Sequence, residues 1–510
     1  MYCVLRIPVF GFWSNGHTVK VYSNGYWVLD VVEYDDYVVN TMHTEAGKYN
    51  MTLDFDFVVH EVRLERTYVP KDETSYLVLE VYRENELVWR ESMVGDELVY
   101  KLIDAQTQVS APLNDGPPIE WSQQIGRQWR DVSYSVIQTS DGGYLSIGST
   151  NLIHPTRYNA YVVKTDSTGN LEWEKSIFGP FREEAMSGLE TREGNFLIAG
   201  RIKNTKRGPH LYLTMLDREG NFIWSSIMPR DTADEFGSII QTSDGYIISG
   251  YNIEEDMRDT DALIIKTDLE GELVWRKTYG SPYAEEMIAS IAETSDGNYV
   301  LVGTEEIELY DPTPRAYGTP KAINVILFFV DSDGNVFWGK EIGGGGYYRG
   351  NSVALTRDGG FIVAGSYSLS GRRSGDALLV KTDETGEMVW SRTFGGPNDD
   401  TFNDVIQTHD GGYLVVGSTA SFGAPNSENV YIVKTDEYGN QMWSKTYGGG
   451  NHEYGICVQQ TSDGGYIISG SAMPEDRDFY DVLLLKLAPE EGFSHNWILN
   501  EPQTRPRTSP

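Results

Sequence analysis

Six carboxylates and one tyrosine recur at matched places in this sequence: Asp131, Glu183, Asp234, Glu286, Tyr348, Asp400 and Glu453. Each stands ten residues before the acidic residue of a turn, from Asp141 and Glu193 through to Asp463. Carboxylates gathered round one axis could attract a cation or a cationic ligand, and mutual repulsion would raise some of their pKa values. The plainer chemistry is that each one caps N–H groups in a connecting loop and recurs because the fold recurs. A second set joins Tyr310, Arg315 and Tyr317, within the stretch from Thr304 to Asn324, to Tyr347 and Arg349, which open the next copy and are expected beside that loop. That stretch is proline-bearing and about eleven residues longer than its counterparts. Aromatic and cationic side chains on a stiffened loop suit a recognition surface, and a tolerated insertion would look the same.

Other chemistry finds little support. The eight histidines are scattered without metal-ligand spacing. Walker loops, Gly-x-Ser-x-Gly elbows and Rossmann fingerprints are missing. Cys3 and Cys457 lie at opposite ends, which excludes a disulfide framework and a cysteine-rich metal site. Asp331-Ser-Asp-Gly-Asn335 hints at calcium but lacks the distal glutamate of an EF-hand, and occupies a position that is a turn in the other repeats. No cofactor is expected, and a cation at the carboxylate ring is the one inorganic ligand the pattern admits.

The elements that must position these residues come from an internal repeat. Tryptophans fall at Trp121, Trp173, Trp224, Trp275, Trp338, Trp390 and Trp443, at intervals of 52, 51, 51, 63, 52 and 53. After each come an acidic-Gly turn, an aromatic (Tyr144, Phe196, Tyr246, Tyr299, Phe361, Tyr413, Tyr466) and, four residues on, a glycine. Each copy reads as four strands: a short apolar run, a hairpin turn, a second run, a variable loop, a third run, an Asp-x-x-Gly turn and the strand bearing the next tryptophan. Runs such as Val136-Ile137 and Leu378-Leu379-Val380 are apolar on both faces, as in a sheet buried on two sides. Antiparallel four-stranded sheets stacked face to face predict an all-β, seven-bladed β-propeller over 119–490. An open β-solenoid would use shorter repeats and parallel strands.

The phase of the repeat bears on closure. The seventh copy lacks its fourth strand, Ala488 replaces the turn aspartate, and Ile119-Glu120-Trp121 is a fourth strand with no third before it. The early strand is therefore expected to complete the last sheet and remove both open edges, the alternative being that Trp497 completes it. Residues 1–107 lack the repeat, carry alternating runs such as Thr18–Tyr22, Trp27–Val32 and a hairpin through 76–90, and predict a β-sandwich. Residues 108–118 read as a linker and 491–510 as a polar tail.

Formal charge is −34 over 510 residues. A surface that acidic repels phosphate backbones and anionic lipid, which argues against nucleic acid as a partner, and no window reaches a membrane-spanning length of apolar residues. No leader is evident, so an exported protein would carry one outside this sequence. Asn50-Met-Thr52 is a glycosylation-type sequon.

The units Trp443-Ser-Lys-Thr-Tyr-Gly-Gly449, Gln460-Thr-Ser-Asp-Gly-Gly-Tyr466 and Lys434-Thr-Asp-Glu-Tyr-Gly-Asn440 resemble those of archaeal and bacterial surface β-propeller repeat proteins. The resemblance covers about 119–487 and implies the fold and an extracellular or cell-surface setting, with hardly any chemistry. Thr165-Asp-Ser-Thr-Gly-Asn-Leu-Glu-Trp173 is more weakly similar to the tryptophan-docking motif of quinoprotein-like propellers. The function expected is a non-catalytic binding or interaction protein that presents a loop-rich propeller face to a protein or a carbohydrate. Two alternatives stand beside it: an enzyme at the channel mouth (a quinoprotein-like oxidoreductase or a glycan-active propeller), and a structural subunit of a surface assembly. Oligomeric state cannot be read from these residues.

Overall fold

A computed structural model describes side chains over residues 116–490, apart from residue 128 and short stretches of the connecting loops, and describes strand backbone alone within 3–102. Tyr310, Arg315 and Tyr317, the tail and Trp497 lie outside the described residues. The chain divides into two compact units, Met1–Thr107 and Gln108–Pro510.

The first unit holds two antiparallel sheets. One has five strands in the order Cys3–Pro8, Glu61–Tyr68, Ser75–Arg83, Glu86–Val94, Glu97–Leu102, and the other is a meander of Thr18–Ser23, Tyr26–Glu33, Val38–Thr44 and Gly47–Leu53. The hairpin expected through 76–90 is present, with Arg83 opposite Glu86.

The second unit is a β-propeller built mostly of four-stranded antiparallel sheets. The first copy shows the pattern: Asp131–Gln138, Tyr144–His154, Arg157–Thr165 and Leu171–Ile177 pair in sequence order. First strands of successive copies neighbour one another, so they form the inner wall. Second and third strands are buried on both faces: Leu145, Ile147, Val162 and Val163 are all 0 % exposed. Leu414, Val416, Val430 and Ile432 of the sixth copy share a core with Ile468, Leu483 and Leu485 of the seventh. At roughly 1.5–3 kcal/mol for each fully buried aliphatic or aromatic side chain, these inter-sheet layers supply most of the stability.

The repeated glycine has a steric cause. Each inner strand carries a bulge, as between Ser133 and Ser135, which presses a carbonyl onto the neighbouring strand. A Cβ on Gly148 would sit 1.8 Å from the Val132 oxygen, and one on Gly470 1.7 Å from that of Tyr454, so no larger residue fits.

Closure follows the phase of the repeat. Ile119–Ile125 pairs antiparallel with Asp481–Leu487, Trp121 opposite Lys486. Tyr144 and Val163 of the first copy pack with Ile467 and Leu484 of the seventh. Gln138 and Gln459 tie the two inner strands, the Gln138 N–H donating to the Gln459 side chain at 2.6 Å. The turn that the seventh copy lacks comes from the segment before the closing strand. Gly116 has φ +62° and lies under the Trp443 ring as Gly439 lies under Trp390 and Gly169 under Trp121.

One pairing departs from the pattern. The fourth and fifth copies join into an eight-stranded sheet through a single parallel contact, Ile323 to Tyr347. Strands of the fourth copy on either side of its long loop run ten residues, Tyr299–Glu308 and Lys321–Val330, and so extend far enough to reach the next sheet.

Candidate functional site: a cleft at the loop end of the propeller

The two ends of each sheet are built from different chemistry. At one end lie the acidic-Gly and Asp-x-x-Gly turns. Here Asp141 Oδ1 accepts from Thr139 Oγ1 and the Gly143 N–H, and its other oxygen lies 3.0 Å from the amine of Lys164. Lys164, 2 % exposed, also donates to the Thr165 carbonyl. The same pair recurs as Lys266–Asp244, Lys381–Asp358, Lys434–Asp410 and Lys486–Asp463 at 2.7–3.0 Å. Burial raises the Asp141 pKa, but the hydroxyl, the amide and the ammonium outweigh it and hold the carboxyl at about 2. The second copy has Met215 and the fourth Phe329 where the others have lysine. The second motif residue, Asp166, takes the N–H groups of Thr168 and Asn170 and closes an Asx turn. Tryptophan of one copy then covers the turn of the next and meets its aromatic, Trp173 against Phe196 at 6.1 Å and Trp390 against Tyr413 at 5.9 Å.

At the other end lie the loops between second and third strands and between copies. All seven recurrent positions are here, at the starts of inner strands, and all seven side chains are buried: Asp131, Glu183, Asp234, Glu286, Tyr348, Asp400 and Glu453 are 0–5 % exposed. Asp131 Oδ2 accepts from the Arg127 N–H at 2.8 Å. Glu286 accepts from the Ser281 N–H, Glu453 from that of Gly449, and Asp400 Oδ2 from the Gly396 N–H and the Ser421 hydroxyl. Asp234 meets Arg276 at 3.0 Å. For Asp131, Glu286, Asp400 and Glu453 this is the loop-capping arrangement. The pKa values of Asp131, Asp400 and Glu453 are raised, and burial rather than repulsion round a ring is the leading cause. Among the described residues no three His, Cys, Asp or Glu side chains are grouped to hold a metal ion.

Tyr348 is the exception among the seven. Its ring packs on Tyr367, centroids 4.5 Å apart, at the junction where the Ile323–Tyr347 backbone contact replaces a carboxylate cap. A cleft of about 220 Å³ opens beside it, between the fifth and sixth copies. Its wall includes Tyr347, Arg349, Tyr367, Asp399 and Glu428, together with Ser366, Ser368, Ser374, Thr401 and Ser418. Two residues nominated from sequence, Tyr347 and Arg349, thus come together with Asp400, and the other carboxylate positions stay apart at their own junctions. A second cleft of about 310 Å³ lies against the Gly448–Gly450 loop and carries one charged side chain, Glu453.

Sequence reasoning missed two features, and for a third, the small residues four positions past the recurrent carboxylates, it expected crowding near the axis but not the hydrogen bonds they make. Asp399 and Glu428 sit in variable loops without repeat spacing, so no pattern marks them. Glu305, on the second strand of the fourth copy, is buried beside Glu341, and burial together with that neighbour pushes its carboxyl up to about 7. The small residues Ser135, Ser187, Ser238, Ser290 and Ser352 are continued by Asp404 and Cys457 in the last two copies. They stitch inner strand to inner strand: Ser238 Oγ accepts from the Ile291 N–H, and Asp404 accepts from the Ser352 hydroxyl and the Val458 N–H.

No protein-family model and no curated protein matches the chain. Solved structures similar to it include the WD40 domain of Pan2 from Neurospora crassa, 12 % identical over 69 % of this chain and 84 % of that one, TM-score 0.33. Sqt1 from Chaetomium thermophilum is 11 % identical over 74 % and 100 %, TM-score 0.42. The β-propeller domain of the Trilobed protease from Pyrococcus furiosus is 11 % identical over 71 % and 94 %, TM-score 0.41. These likenesses concern the arrangement of sheets and say nothing of chemistry.

Proposed function

We propose that this chain is a non-catalytic binding protein that presents the loop end of a seven-bladed propeller to a protein or carbohydrate partner. Seven repeat copies, with the last packed on the first, support the blade number. The two sheets and alternating runs of the first unit support a β-sandwich, and the repeat resemblance supports a secreted or cell-surface setting. The observation that carries the binding reading is the broken symmetry at Tyr348. Where the other copies open on a buried carboxylate, the fifth opens on a tyrosine packed on Tyr367, and the residues on either side of it, Tyr347 and the exposed Arg349, line a cleft at the next junction, where Asp400 keeps its cap, at the end that carries the variable loops.

Biolayer interferometry of the full chain against immobilised peptides and polysaccharides tests it. A Tyr347→Ala/Arg349→Ala double variant loses binding, and Tyr438→Ala, at an exposed site of the turn end, keeps it. Loss with the turn-end variant alone overturns the reading.

One observation favours the alternative of an enzyme at the same mouth: Glu305, with Glu341 beside it, holds a proton near neutrality and has no counterpart in the other copies. A turnover whose rate breaks near pH 7 in the wild type and not in Glu305→Gln would establish it.

A further inference from the structure

The cleft beside Tyr348 has a wall whose chemistry selects among ligands. Its volume of about 220 Å³ is below the roughly 300–1,000 Å³ of sites for drug-sized molecules, so it admits one ring-sized group or the tip of a chain. Five hydroxyl side chains, Ser366, Ser368, Ser374, Thr401 and Ser418, stand among its lining residues. Charge of both signs is present, and the buried Asp400 carboxylate, whose Oδ2 is taken by the Gly396 N–H and the Ser421 hydroxyl, also borders the cleft. Arg349 is exposed and ion-paired to no carboxylate among the described residues, whereas Arg201 and Arg276 at the same end of other copies are paired. Asp399 is exposed and uses Oδ1 to accept the Gly375 N–H, which holds it at the rim. Glu428 is anchored from the far side by the Tyr454 hydroxyl, which its carboxylate accepts, and by its own N–H, which donates to His452 Nδ1.

Each ligand class meets this wall differently. An anionic group meets Arg349 but also Asp399 and Glu428, and a cationic group meets the reverse. An apolar anchor of the kind that dominates protein interfaces wants a dry apolar pocket, and would leave these hydroxyls and charges unpaired. A neutral polyhydroxylated ring satisfies both signs at once. Adjacent hydroxyls accept from a guanidinium and donate to a carboxylate, and the C–H face of the ring packs on tyrosine. Resting on the binding reading above, we propose that this cleft is a subsite for one neutral sugar residue of a glycan, held without a metal ion by Arg349, Asp399 and Tyr347.

The full chain is screened on a printed array of neutral and uronic-acid-containing oligosaccharides, with and without EDTA, and hits are measured by isothermal titration. Neutral glycans bind, EDTA leaves binding unchanged, and Arg349→Ala and Asp399→Asn each weaken it about tenfold or more, as loss of a charge-assisted hydrogen bond should. Tyr347→Phe keeps affinity and Tyr347→Ala loses it, with thermal midpoints unchanged in the exposed-site variants. Binding of uronic acids in preference to neutral glycans overturns the sugar class and leaves the cleft as the site. A bare array, with peptides captured only when Arg349 is intact, overturns the saccharide and spares the binding reading. Neutral glycan binding that survives both Arg349→Ala and Asp399→Asn overturns the subsite and the mouth-face reading together.

Discussion

The turn end and the loop end of the sheets use the same residue type, aspartate or glutamate, to opposite effect. At the turn end the carboxylates keep water on one side and gain an ammonium, so they stay ionised far into acid, Asp141 at about 2. At the loop end Asp131, Asp400 and Glu453 are buried under backbone N–H groups, and their pKa values rise. Uniformity at the turn end builds the fold, because every sheet must dock on the next in the same way. Tolerance at the loop end permits one copy to trade its carboxylate for a tyrosine pair, with a cleft at the adjoining junction, without loss of the docking below.

The largest break in that comparison is predicted at Trp443, 3 % exposed and lying over Gly116 at the closing seam. Trp443→Ala should lower the stability of the propeller by about 3–5 kcal/mol in urea unfolding. Hydrogen exchange should then rise first across Ile119–Ile125, the strand next to the segment the ring secures. A drop no larger than that of an exposed-site variant would show that the seam does not depend on this contact. Next comes Lys434→Met, which copies the residue found at Met215. It should destabilise by about 2 kcal/mol, below the roughly 3–5 kcal/mol of a fully buried broken pair, because Asp410 is 47 % exposed and keeps its water. Adding Asp410→Asn should recover part of the loss in a double-mutant cycle.

A smaller effect separates the two ends by pH. Glu305 has a folded pKa raised from 4.5 to about 7, so its contribution is fully present below the ordinary carboxylate value and is lost as pH rises through 7. Glu305→Gln should therefore gain stability relative to wild type between pH 5 and 8, read from midpoints at each pH. Asp141→Asn should do the reverse. The lowered pKa of Asp141 gives stability above the usual carboxylate range that is lost as pH falls toward 2, so the variant is weaker at neutral pH and converges on wild type in acid. Parallel pH profiles for the two variants would refute the contrast. The smallest effect is expected at Arg349→Ala, within about 0.5 kcal/mol of wild type in unfolding, because the side chain is exposed and unpaired among the described residues.

Much of the fold was legible because its signals are local and repeated. The Asp-Gly turns, the apolar runs and the tryptophan register are each set within a few residues, and the out-of-phase Trp121 pointed to its partner near Lys486. The glycine four residues past each aromatic was legible as a position but not as a cause, since the bulge that demands it lies on the adjacent strand. For the carboxylates, spacing located the strand start and left orientation open. Whether an oxygen faces a channel or a loop N–H depends on how the preceding copy ends, and Arg127 and Gly396 carry no mark of that role in the linear order.

The order of residues, taken alone, determines that the second unit repeats one four-stranded module, where each module turns and which strand is left to close it. Those are matters of backbone sterics and alternation within a single module. Tertiary structure alone decided which end could acquire a site. Only packing brings Tyr347 against Ile323 and sets Arg349 across from Asp399, because the groups that define the cleft belong to separate sheets and face one another only once those sheets are docked.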